Sequence, residues 1–451
     1  MGKLFGTDGI RGLANTYPMT PEIALKAGRA SVAYFRKYQG IAHPKIVVGR
    51  DTRISGPMLE SAIMAGICSM GGEAVRAGVI PTPGVAYVAR TIGADAGIVI
   101  SASHNPYEDN GIKFFKGDGY KLSDAEESEL EALILDSEML RRAEKINAVG
   151  RIYPLTDAAR TYQQFLGGIM EDAANFKGRQ LVIDCSNGAT SAIAPELFAS
   201  LGFDVISLSS TPNGTNINAE CGSQHPEKLA ETLLKNSAEI GLAFDGDGDR
   251  LIAVDEKGVV LTGDQIIAIC ALFLDRHKQL NNRTVVSTVM SNIGLGTVLR
   301  KQGIRHVMSD VGDRYVMTEM LNSGAVVGGE DSGHIIFHDH HTTGDGMLAA
   351  LQLIKVMIAT GKSLSELAKV MTVSPQVLIN VPVKTKLDLG TIPEIQTTIR
   401  SVENDLNEKG RVLVRYSGTQ SMCRVMVEAP TEKDAGLWAQ QIAEVIAEKI
   451  G

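Results

Sequence analysis

Three stretches of the chain repeat one order of apolar and polar positions. Each begins with a short apolar run rich in β-branched residues and continues through a polar loop into apolar residues at helical spacing. A glycine and a second apolar run follow, and the three stretches cover residues 44–80, 179–209 and 283–310. This order is typical of parallel strands joined by a crossover helix. It predicts three related α/β domains in series, with ligands at the carboxyl ends of the strands.

The last part of the chain has a different order, strand–helix–strand–strand–helix. The predicted elements are strands at 377–383, 411–420 and 423–430 and helices at 392–408 and 432–449. Such an order indicates a smaller α+β domain at the C-terminus. The fold class is therefore α/β, with three related α/β domains followed by a smaller α+β domain. The expected domains are 1–153, 154–255, 256–371 and 372–451.

Length, net charge and cysteine content limit the number of domains and the kinds of binding partner that we expect. The chain has 451 residues, which at about 150 residues per domain gives roughly three domains by size alone. Its net charge of -8 argues against general binding to nucleic acid or to an anionic membrane. The five cysteines form no CxxC pair, and no apolar segment has the length of a signal peptide or a membrane span. We therefore expect a cytoplasmic protein with reduced cysteines.

The segment from Asp245 to Arg250, DGDGDR, brings three carboxylates onto alternate positions of one loop. Glycine between them removes the Cβ atoms that would prevent a sharp bend, so the acids can converge. Like charges gathered in this way need a cation, and carboxylate oxygens suit Mg²⁺ or Ca²⁺. Apolar runs at 239–244 and 251–255 flank the loop, so it joins two predicted strands. Metal binding is the favoured interpretation.

Three other interpretations of the acidic loop remain open at this stage. An EF-hand would use Asp245, Asp247, Asp249 and Glu256 as its positions 1, 3, 5 and 12, but Arg250 stands where that loop requires glycine. An aspartyl-phosphate enzyme would use Asp245 as its nucleophile. A purely structural acidic turn would bind nothing.

Residues 96–115 form a second segment dense in reactive groups. A predicted strand at 97–100 ends in small polar residues, which leaves Ser103 at a strand carboxyl end. We expect a loop that returns the chain to Lys113. Serine, His104 and lysine together would supply a nucleophile, a proton carrier and a positive charge. The alternative is a polar turn with a hydrogen-bonded histidine, and the absence of a GxSxG motif gives no support for a hydrolase triad.

Residues 328–334, GGEDSGH, follow another predicted strand. Glu330 and Ser332 are candidates for binding sugar hydroxyls, and His334 is a candidate acid or base; the alternative is a glycine-rich turn. The nearby histidines at 338–341 suggest a zinc site, but no further ligand follows at a suitable spacing. A surface loop is the preferred interpretation there.

Residues 415–419, RYSGT, join the two strands predicted near the C-terminus. The guanidinium of Arg415, two hydroxyl groups and backbone amides freed by glycine would form a cradle for an oxyanion. A plain hairpin has the same pattern, so this segment alone does not decide between the two.

Taken together, these segments resemble the α-D-phosphohexomutase superfamily along the whole chain. The matching motifs are FGTDGIRG at 5–12, SASHNP at 101–106, DGDGDR at 245–250, GEDSGH at 329–334, TTGDG at 342–346 and RYSGT at 415–419. FGTDGIRG, TTGDG and the continuation NGIKFF favour the glucosamine branch over phosphomannomutases and phosphoglucomutases. Two departures are SGTQS, where many relatives have SGTEP, and Asp331, where glutamine is frequent.

The resemblance implies four domains with mixed sheets around a central cleft, and it assigns roles residue by residue. Ser103 would be the phosphoserine, and the metal ligands of one Mg²⁺ per subunit would be a Ser103 phosphate oxygen, Asp245, Asp247 and Asp249. The groups around the transferring phosphoryl would be Arg11, His104, Lys113 and Arg250. The groups facing the sugar would be Glu330, Ser332 and His334. The non-reacting phosphate would be bound by Arg415, Ser417, Gly418 and Thr419.

The implied activity is interconversion of glucosamine 6-phosphate and glucosamine 1-phosphate through a 1,6-bisphosphate, which supplies UDP-N-acetylglucosamine and cell-wall precursors. The implied partners are a phosphorylated amino sugar, glucose or glucosamine 1,6-bisphosphate as an activator, and a second copy of the chain in a homodimer. The same mechanism with another hexose, as in phosphomannomutase or phosphoglucomutase, is the alternative. A non-catalytic Ca²⁺-binding protein is a more distant alternative, since it would use only the acidic loop.

Overall fold

The structure is a computed structural model, and it describes residues 4–6, 8–138, 148–170, 176–407, 409–416 and 421–451. The chain divides into two units. The first unit contains Met1–Val289 and Arg305–Lys369, and the second contains Met290–Ile304 and Val370–Gly451. Within the described ranges, no helix combines the length and apolar character needed to cross a bilayer.

The first unit begins with a mixed six-stranded sheet in the order β1-β5-β4-β2-β3-β6. Its strands are β1 (Ile10–Leu13), β2 (Lys45–Arg50), β3 (Glu73–Val79), β4 (Ala96–Ile100), β5 (Asp109–Lys116) and β6 (Ile152–Pro154). The four strands from β4 to β6 in this order run parallel, while β5 is antiparallel to both β4 and β1. The carboxyl end of β4 therefore leads directly into the segment that contains Ser103.

The helices described for this domain are α1 (Pro21–Gln39), α2 (Gly56–Ser69), α3 (Thr82–Thr91) and α4 (Asp124–Leu135). Helix α1 begins where the Thr20 side chain accepts a hydrogen bond from the Ile23 amide, and it ends at Gly40 with φ of 70°. Helices α1 and α2 meet backbone to backbone, because a Cβ on Gly28 would lie 2.1 Å from the Ile63 carbonyl oxygen. Leucine, isoleucine and alanine side chains between these helices and the sheet form the core of this domain.

The second sheet has the order β11-β10-β9-β7-β8. Its elements in chain order are α5 (Ala158–Gly167), β7 (Gln180–Asp184), α6 (Ala194–Ser200), β8 (Asp204–Leu208), α7 (Glu227–Asn236), β9 (Ile240–Phe244), β10 (Leu251–Asp255) and β11 (Val260–Leu261). Strands β9, β7 and β8 are parallel, and β10 turns back antiparallel to β9. The acidic loop is the connection between β9 and β10, as predicted.

The third sheet has the order β13-β12-β14-β15. The elements from this point in the chain are α8 (Gly263–Arg276), β12 (Thr284–Thr288), α9 (Ile293–Lys301), β13 (Arg305–Ser309), α10 (Asp313–Ser323), β14 (Val327–Gly329), β15 (Ile335–Phe337), α11 (Gly346–Thr360) and α12 (Leu364–Ala368). Helix α9 belongs to the second unit. Strands β14 and β15 are antiparallel, so the GEDSGH segment is the tip of a hairpin.

The repeated strand–helix–strand order is confirmed in all three predicted stretches. They correspond to β2–α2–β3, β7–α6–β8 and β12–α9–β13, and the two strands of each stretch are parallel neighbours. A glycine with positive φ follows the helix in each case: Gly71, Gly202 and Gly303, with φ of 72°, 100° and 66°. Glycine is favoured at these helix ends because the left-handed region carries no Cβ penalty for it.

The second unit contains an antiparallel sheet in the order β16-β18-β17. Besides α9 its elements are β16 (Gln376–Pro382), α13 (Pro393–Leu406), β17 (Arg411–Tyr416), β18 (Met422–Glu428) and α14 (Glu432–Ile450). Apolar side chains of α13 and α14 pack with those of the sheet into one core. The predicted α+β order is confirmed, as is the fold class of three α/β domains with mixed sheets and a smaller α+β domain.

Candidate active site

Ser103 lies just past the carboxyl end of β4 and is buried, with 1% of its surface exposed. Its hydroxyl donates a hydrogen bond of 2.5 Å to Oδ2 of Asp245 in the acidic loop. The same Oγ lies 3.3 Å from Nδ1 of His104. The nucleophile candidate and the acidic loop, predicted from segments more than a hundred residues apart, are therefore in direct contact.

The acidic loop has the donor set and the burial of a metal site. Asp245, Asp247 and Asp249 are all buried, and one oxygen of each lies within 4.8 Å of the others. The Oδ1 atoms of Asp247 and Asp249 are buried and accept no hydrogen bond from the described residues. Orphaned carboxylate oxygens of this kind are costly unless a cation binds them. Three hard oxygen donors fit Mg²⁺, and among the described residues this is the one group of its kind.

Lys113 is the main positive charge against these carboxylates. Its buried Nζ lies 2.9 Å from Oδ2 of Asp247 and 3.6 Å from Oδ2 of Asp249. Burial is the largest single effect on both acids and opposes their ionisation. Lys113, together with the Thr82 hydrogen bond to Asp247 and the charge of His334 beside Asp249, nevertheless holds the pKa of Asp247 below its ordinary value and that of Asp249 well below. Burial and the two neighbouring carboxylates raise the pKa of Asp245 well above its ordinary value. The charge on each of these side chains therefore depends on the charges of the others.

The loop that was expected to return the chain to Lys113 is shorter than predicted, because it ends at Glu108. Lys113 lies within strand β5, which begins at Asp109, because the polar residues 109–111 pair antiparallel with Leu13, Gly12 and Arg11 of β1. The strand gives the lysine a fixed direction into the site.

Asp8, which was not among the predicted site residues, forms ion pairs with three cationic side chains. Its carboxylate lies 2.5 Å from Arg11, 3.0 Å from Lys113 and 2.5 Å from Lys121. Burial opposes its ionisation, but Lys113 and Lys121 hold the pKa of Asp8 well below its usual range. Lys121 also pairs with Asp313 of helix α10. Asp8 belongs to the FGTDGIRG motif, so the motif was the signal that could have identified it.

Two predicted site residues, His104 and Arg250, lie beside the acidic loop. Burial, followed by the charges of Arg250 and Arg11, lowers the pKa of His104 to about 4, so its imidazole is neutral at neutral pH. The backbone amide of Arg250 donates to Oδ1 of Asp245 over 3.2 Å, and its Nε lies 3.8 Å from Oδ1 of Asp249. Both side chains therefore border the acidic loop.

The β14–β15 hairpin brings its predicted residues to the same place. His334 lies between two carboxylates, with Nδ1 3.6 Å from Asp249 and Nε2 3.6 Å from Asp313. Burial opposes its protonation, but Asp249 and Asp313 raise the pKa of His334. Glu330 accepts a hydrogen bond of 3.0 Å from the Gly312 amide, while the Ser332 hydroxyl is buried without a hydrogen-bond partner in the described structure.

Two further interpretations from the sequence are contradicted. The EF-hand is wrong because β-strands flank the loop and Glu256 accepts hydrogen bonds from the amide and hydroxyl of Ser365. The surface-loop assignment at 338–341 is wrong for His341, which is buried and lies 2.9 Å from the Pro83 carbonyl oxygen through its Nε2.

The predicted phosphate cradle is described only in part. Arg415 lies on β17 of the second unit and is partly buried. Ser417, Gly418 and Thr419 lie outside the described residues. Their roles remain predictions, as do the roles of the other site residues.

Family models match almost the whole chain. They are described as phosphoglucomutase/phosphomannomutase α/β/α domains I, II and III and the C-terminal domain, and they match residues 2–141, 161–258, 262–373 and 378–445. Apart from strands β6 and β11, which lie between the matched ranges, the three α/β sheets fall in the first three ranges in turn, and the smaller α+β domain corresponds to the fourth.

Curated relatives and solved structures agree with these matches. Phosphoglucosamine mutases of Syntrophus aciditrophicus (strain SB) and Syntrophobacter fumaroxidans (strain DSM 10017 / MPOB) are 54% and 51% identical over 451 residues, with 100% of each chain covered. A phosphoglucomutase/phosphomannomutase family protein from Burkholderia thailandensis has a TM-score of 0.78 at 23% identity, covering 98% and 97% of the two chains. Aspergillus fumigatus N-acetylphosphoglucosamine mutase, solved with GlcNAc-6P and magnesium, has a TM-score of 0.71 at 17% identity over 99% and 96%. The chain belongs to the phosphoglucosamine mutase family, a branch of the α-D-phosphohexomutase superfamily.

Proposed function

We propose that the protein interconverts glucosamine 6-phosphate and glucosamine 1-phosphate through a phosphoserine at Ser103. The observation that carries this proposal is the 2.5 Å contact between the buried Ser103 hydroxyl and Asp245 of the acidic loop. A serine in that position can hold a phosphoryl group beside a bound cation. Relatives named phosphoglucosamine mutase at 54% and 51% identity support the amino-sugar substrate.

Asp245, Asp247 and Asp249, together with an oxygen of the Ser103 phosphate, would hold one Mg²⁺ per subunit. The ion would withdraw negative charge from the phosphoryl group as its bond to serine breaks. The orphaned oxygens of Asp247 and Asp249 support this assignment.

The work of the protein itself is positioning and charge stabilisation, since phosphoryl transfer requires little else. Arg11, Lys113 and Arg250 would place positive charge around a phosphoryl group on Ser103 and so stabilise the oxygens of the transferring group. The bond between phosphorus and Ser103 Oγ breaks while a bond forms between phosphorus and O1 of the sugar. The O1 hydroxyl group loses its proton in this step. His334, buried between two carboxylates, is our candidate to exchange this proton.

The product of the first transfer is a 1,6-bisphosphate, which must turn over so that its 6-phosphate can return to Ser103. Glu330 and Ser332 would bind the sugar in both orientations. Arg415, with Ser417, Gly418 and Thr419, would bind the phosphate that is not reacting. Glucose or glucosamine 1,6-bisphosphate would load Ser103 at the start; a solved neighbour from Aspergillus fumigatus holds glucose 1,6-bisphosphate.

The proposal extends to the setting of the enzyme. Its product would feed UDP-N-acetylglucosamine and cell-wall precursor synthesis in the cytoplasm, and the protein would act as a homodimer. Five free cysteines, four of them buried, support a reducing compartment.

Substrate preference tests the hexose assignment. We expect the highest kcat/KM for glucosamine 6-phosphate when it is compared with glucose, mannose and N-acetylglucosamine 6-phosphates. A preference for glucose or mannose would replace the proposal with the phosphoglucomutase or phosphomannomutase alternative.

Two variants test the covalent mechanism. We expect Ser103→Ala to abolish both isomerisation and phosphate incorporation, measured by intact mass. If Ser103→Ala still incorporated phosphate while Asp245→Asn did not, the aspartyl-phosphate interpretation would be correct instead. A protein that binds Ca²⁺ and isomerises no sugar phosphate would support the non-catalytic alternative.

A further inference from the structure

Ser103 has a left-handed backbone conformation, with φ of 54°. A side chain with a Cβ rarely adopts this region, and such a residue persists where surrounding contacts over-determine it. The conformation aims Oγ at Asp245 of the neighbouring domain. The groups that hold the Ser103 backbone therefore control where its hydroxyl, and any phosphate on it, is placed.

Arg53 holds this backbone from within the same domain. It follows strand β2, its side chain is completely buried, and its NH2 group donates to the carbonyl oxygens of Ser103 at 3.3 Å and of Asn105 at 2.5 Å. Its Nε donates to the carbonyl oxygen of Asp109 over 2.8 Å. One planar guanidinium thus ties together both flanks of His104 and the start of strand β5.

Asn218 holds the same two carbonyl groups from the second domain. Its Nδ2 donates to the Ser103 carbonyl oxygen over 2.8 Å and to the Asn105 carbonyl oxygen over 2.9 Å. Its own backbone has φ of 57°, and its backbone N–H donates to the Ser186 carbonyl oxygen over 2.9 Å. The serine loop is therefore fixed relative to the domain that supplies the acidic loop.

Asp51 completes the arrangement on the amide side of Ser103. The Ser103 amide donates to Ser101 Oγ over 3.0 Å, and Ser101 Oγ donates to Asp51 over 2.6 Å. Asp51 also pairs with the Arg53 guanidinium at 2.5 Å, with both side chains fully buried. One carboxylate thus orients the groups on both sides of the Ser103 peptide.

The acidic loop approaches this arrangement at a glycine. A Cβ on Gly246 would lie 2.6 Å from the Ser103 carbonyl oxygen and 2.8 Å from Nδ2 of Asn218. Gly246 stands between Asp245 and Asp247 in the chain, so the carbonyl group that Asn218 holds is also the group against which the acidic loop packs.

We propose that Arg53 and Asn218 are positioning residues that clamp the Ser103 carbonyl group from two domains and so direct the serine side chain to the acidic loop. Neither residue has a role in the catalytic set described above. The inference rests on the proposed function, because positioning matters only if Ser103 carries the phosphoryl group.

Asn218→Gly is the sharpest variant, since glycine keeps the left-handed backbone and removes only the amide donors. The control is Asn282→Gly. Asn282 also has positive φ, 52°, and its Nδ2 donates to a carbonyl group, that of Ser323, but on an exposed surface elsewhere. Both proteins would be phosphorylated with glucose 1,6-bisphosphate, and then mixed with saturating glucosamine 6-phosphate in a single turnover.

We expect the first-order rate constant for phosphate loss from Asn218→Gly to fall about 10- to 100-fold, as a displacement of reacting groups by about 1 Å would cause. KM should stay within about twofold of the wild-type value, and Asn282→Gly should transfer at the wild-type rate. A merely structural role would lower the folded fraction but would leave this rate constant unchanged. A wild-type rate constant in Asn218→Gly would overturn the inference.

The proposed function fails separately, if the wild-type protein takes up no phosphate on Ser103 or if Ser103→Ala remains active. Should Asn218→Gly not fold, Asn218→Ser carries the same test, because its short hydroxyl cannot reach both carbonyl groups. The same fall in rate constant is expected for it, and an unchanged value would again overturn the inference.

Discussion

Replacing Lys113 with methionine removes a buried cation that contacts three carboxylates of the site. Its Nζ lies 2.9 Å from Asp247, 3.0 Å from Asp8 and 3.6 Å from Asp249. At an effective dielectric constant of about 20, unit charges about 3 Å apart attract by about 5–6 kcal/mol. Burial of the ammonium group costs several kcal/mol. Because removing one partner leaves buried carboxylates uncompensated, we expect a net loss of about 3–5 kcal/mol in the free energy of unfolding.

Urea unfolding at pH 7 in the presence of EDTA measures this loss without compensation by a bound metal. Lys116→Met is the matched control, because Lys116 lies on the same strand but pairs with Asp118 at 3.8 Å on the surface. We expect the control to change the free energy of unfolding by less than about 0.5 kcal/mol. Equal stability of Lys113→Met and the control would refute the reasoning.

The effect of Lys113→Met should also depend on pH. Lys113 holds the pKa of Asp249 well below and that of Asp247 below its ordinary value, against the effect of burial. Such a carboxylate stabilises the fold above its unfolded pKa of about 3.9, and the contribution is lost as pH falls through the folded pKa. The difference between variant and wild type should therefore be largest near neutral pH and shrink below about pH 4. A difference that grows on acidification would contradict this.

Two other substitutions test contacts between domains. Tyr162→Phe removes the 2.7 Å hydrogen bond to buried Asp345 and should cost about 1.5–3 kcal/mol of unfolding free energy at pH 7. The cost should be smaller at pH 5, since burial raises the pKa of Asp345 to about 6 and a neutral acceptor is weaker; equal urea midpoint shifts at both pH values would contradict this. Gly246→Ala would place a Cβ 2.6 Å from the Ser103 carbonyl oxygen and should lower kcat about 10- to 100-fold. Gly436→Ala in helix α14, where the space is open, should leave kcat unchanged, and similar rates for the two variants would be contrary to expectation.

Local patterns were sufficient for most of the fold. The three βαβ stretches and the C-terminal order were predictable because apolar periodicity and the positive-φ glycines act over a few neighbouring residues. The start of strand β5 was not, because its first residues, 109–111, have turn composition and become a strand only by pairing with β1. Tertiary pairing outweighed local propensity there.

Site residues that belong to a sequence motif could be predicted, whereas contacts between distant segments of the chain could not. Ser103 and the acidic loop could be selected from the sequence, although their 2.5 Å contact spans 142 positions. The pair of Lys121 and Asp313 spans 192 positions, and neither residue belongs to a distinctive pattern. In the sequence, Arg53 and Asn218 are not distinguished from any other arginine in a loop or asparagine in a turn. Their importance depends on two carbonyl groups that only the folded chain brings to them.

Transfer of a labelled phosphoryl group tests the central claim most directly. The enzyme would be labelled on Ser103 with ³²P, mixed with glucosamine 6-phosphate, and quenched at successive times. We predict that the label leaves Ser103 and appears in glucosamine 1,6-bisphosphate and then in the monophosphates. Release of the label as inorganic phosphate, or isomerisation while the label stays on the protein, would contradict the account.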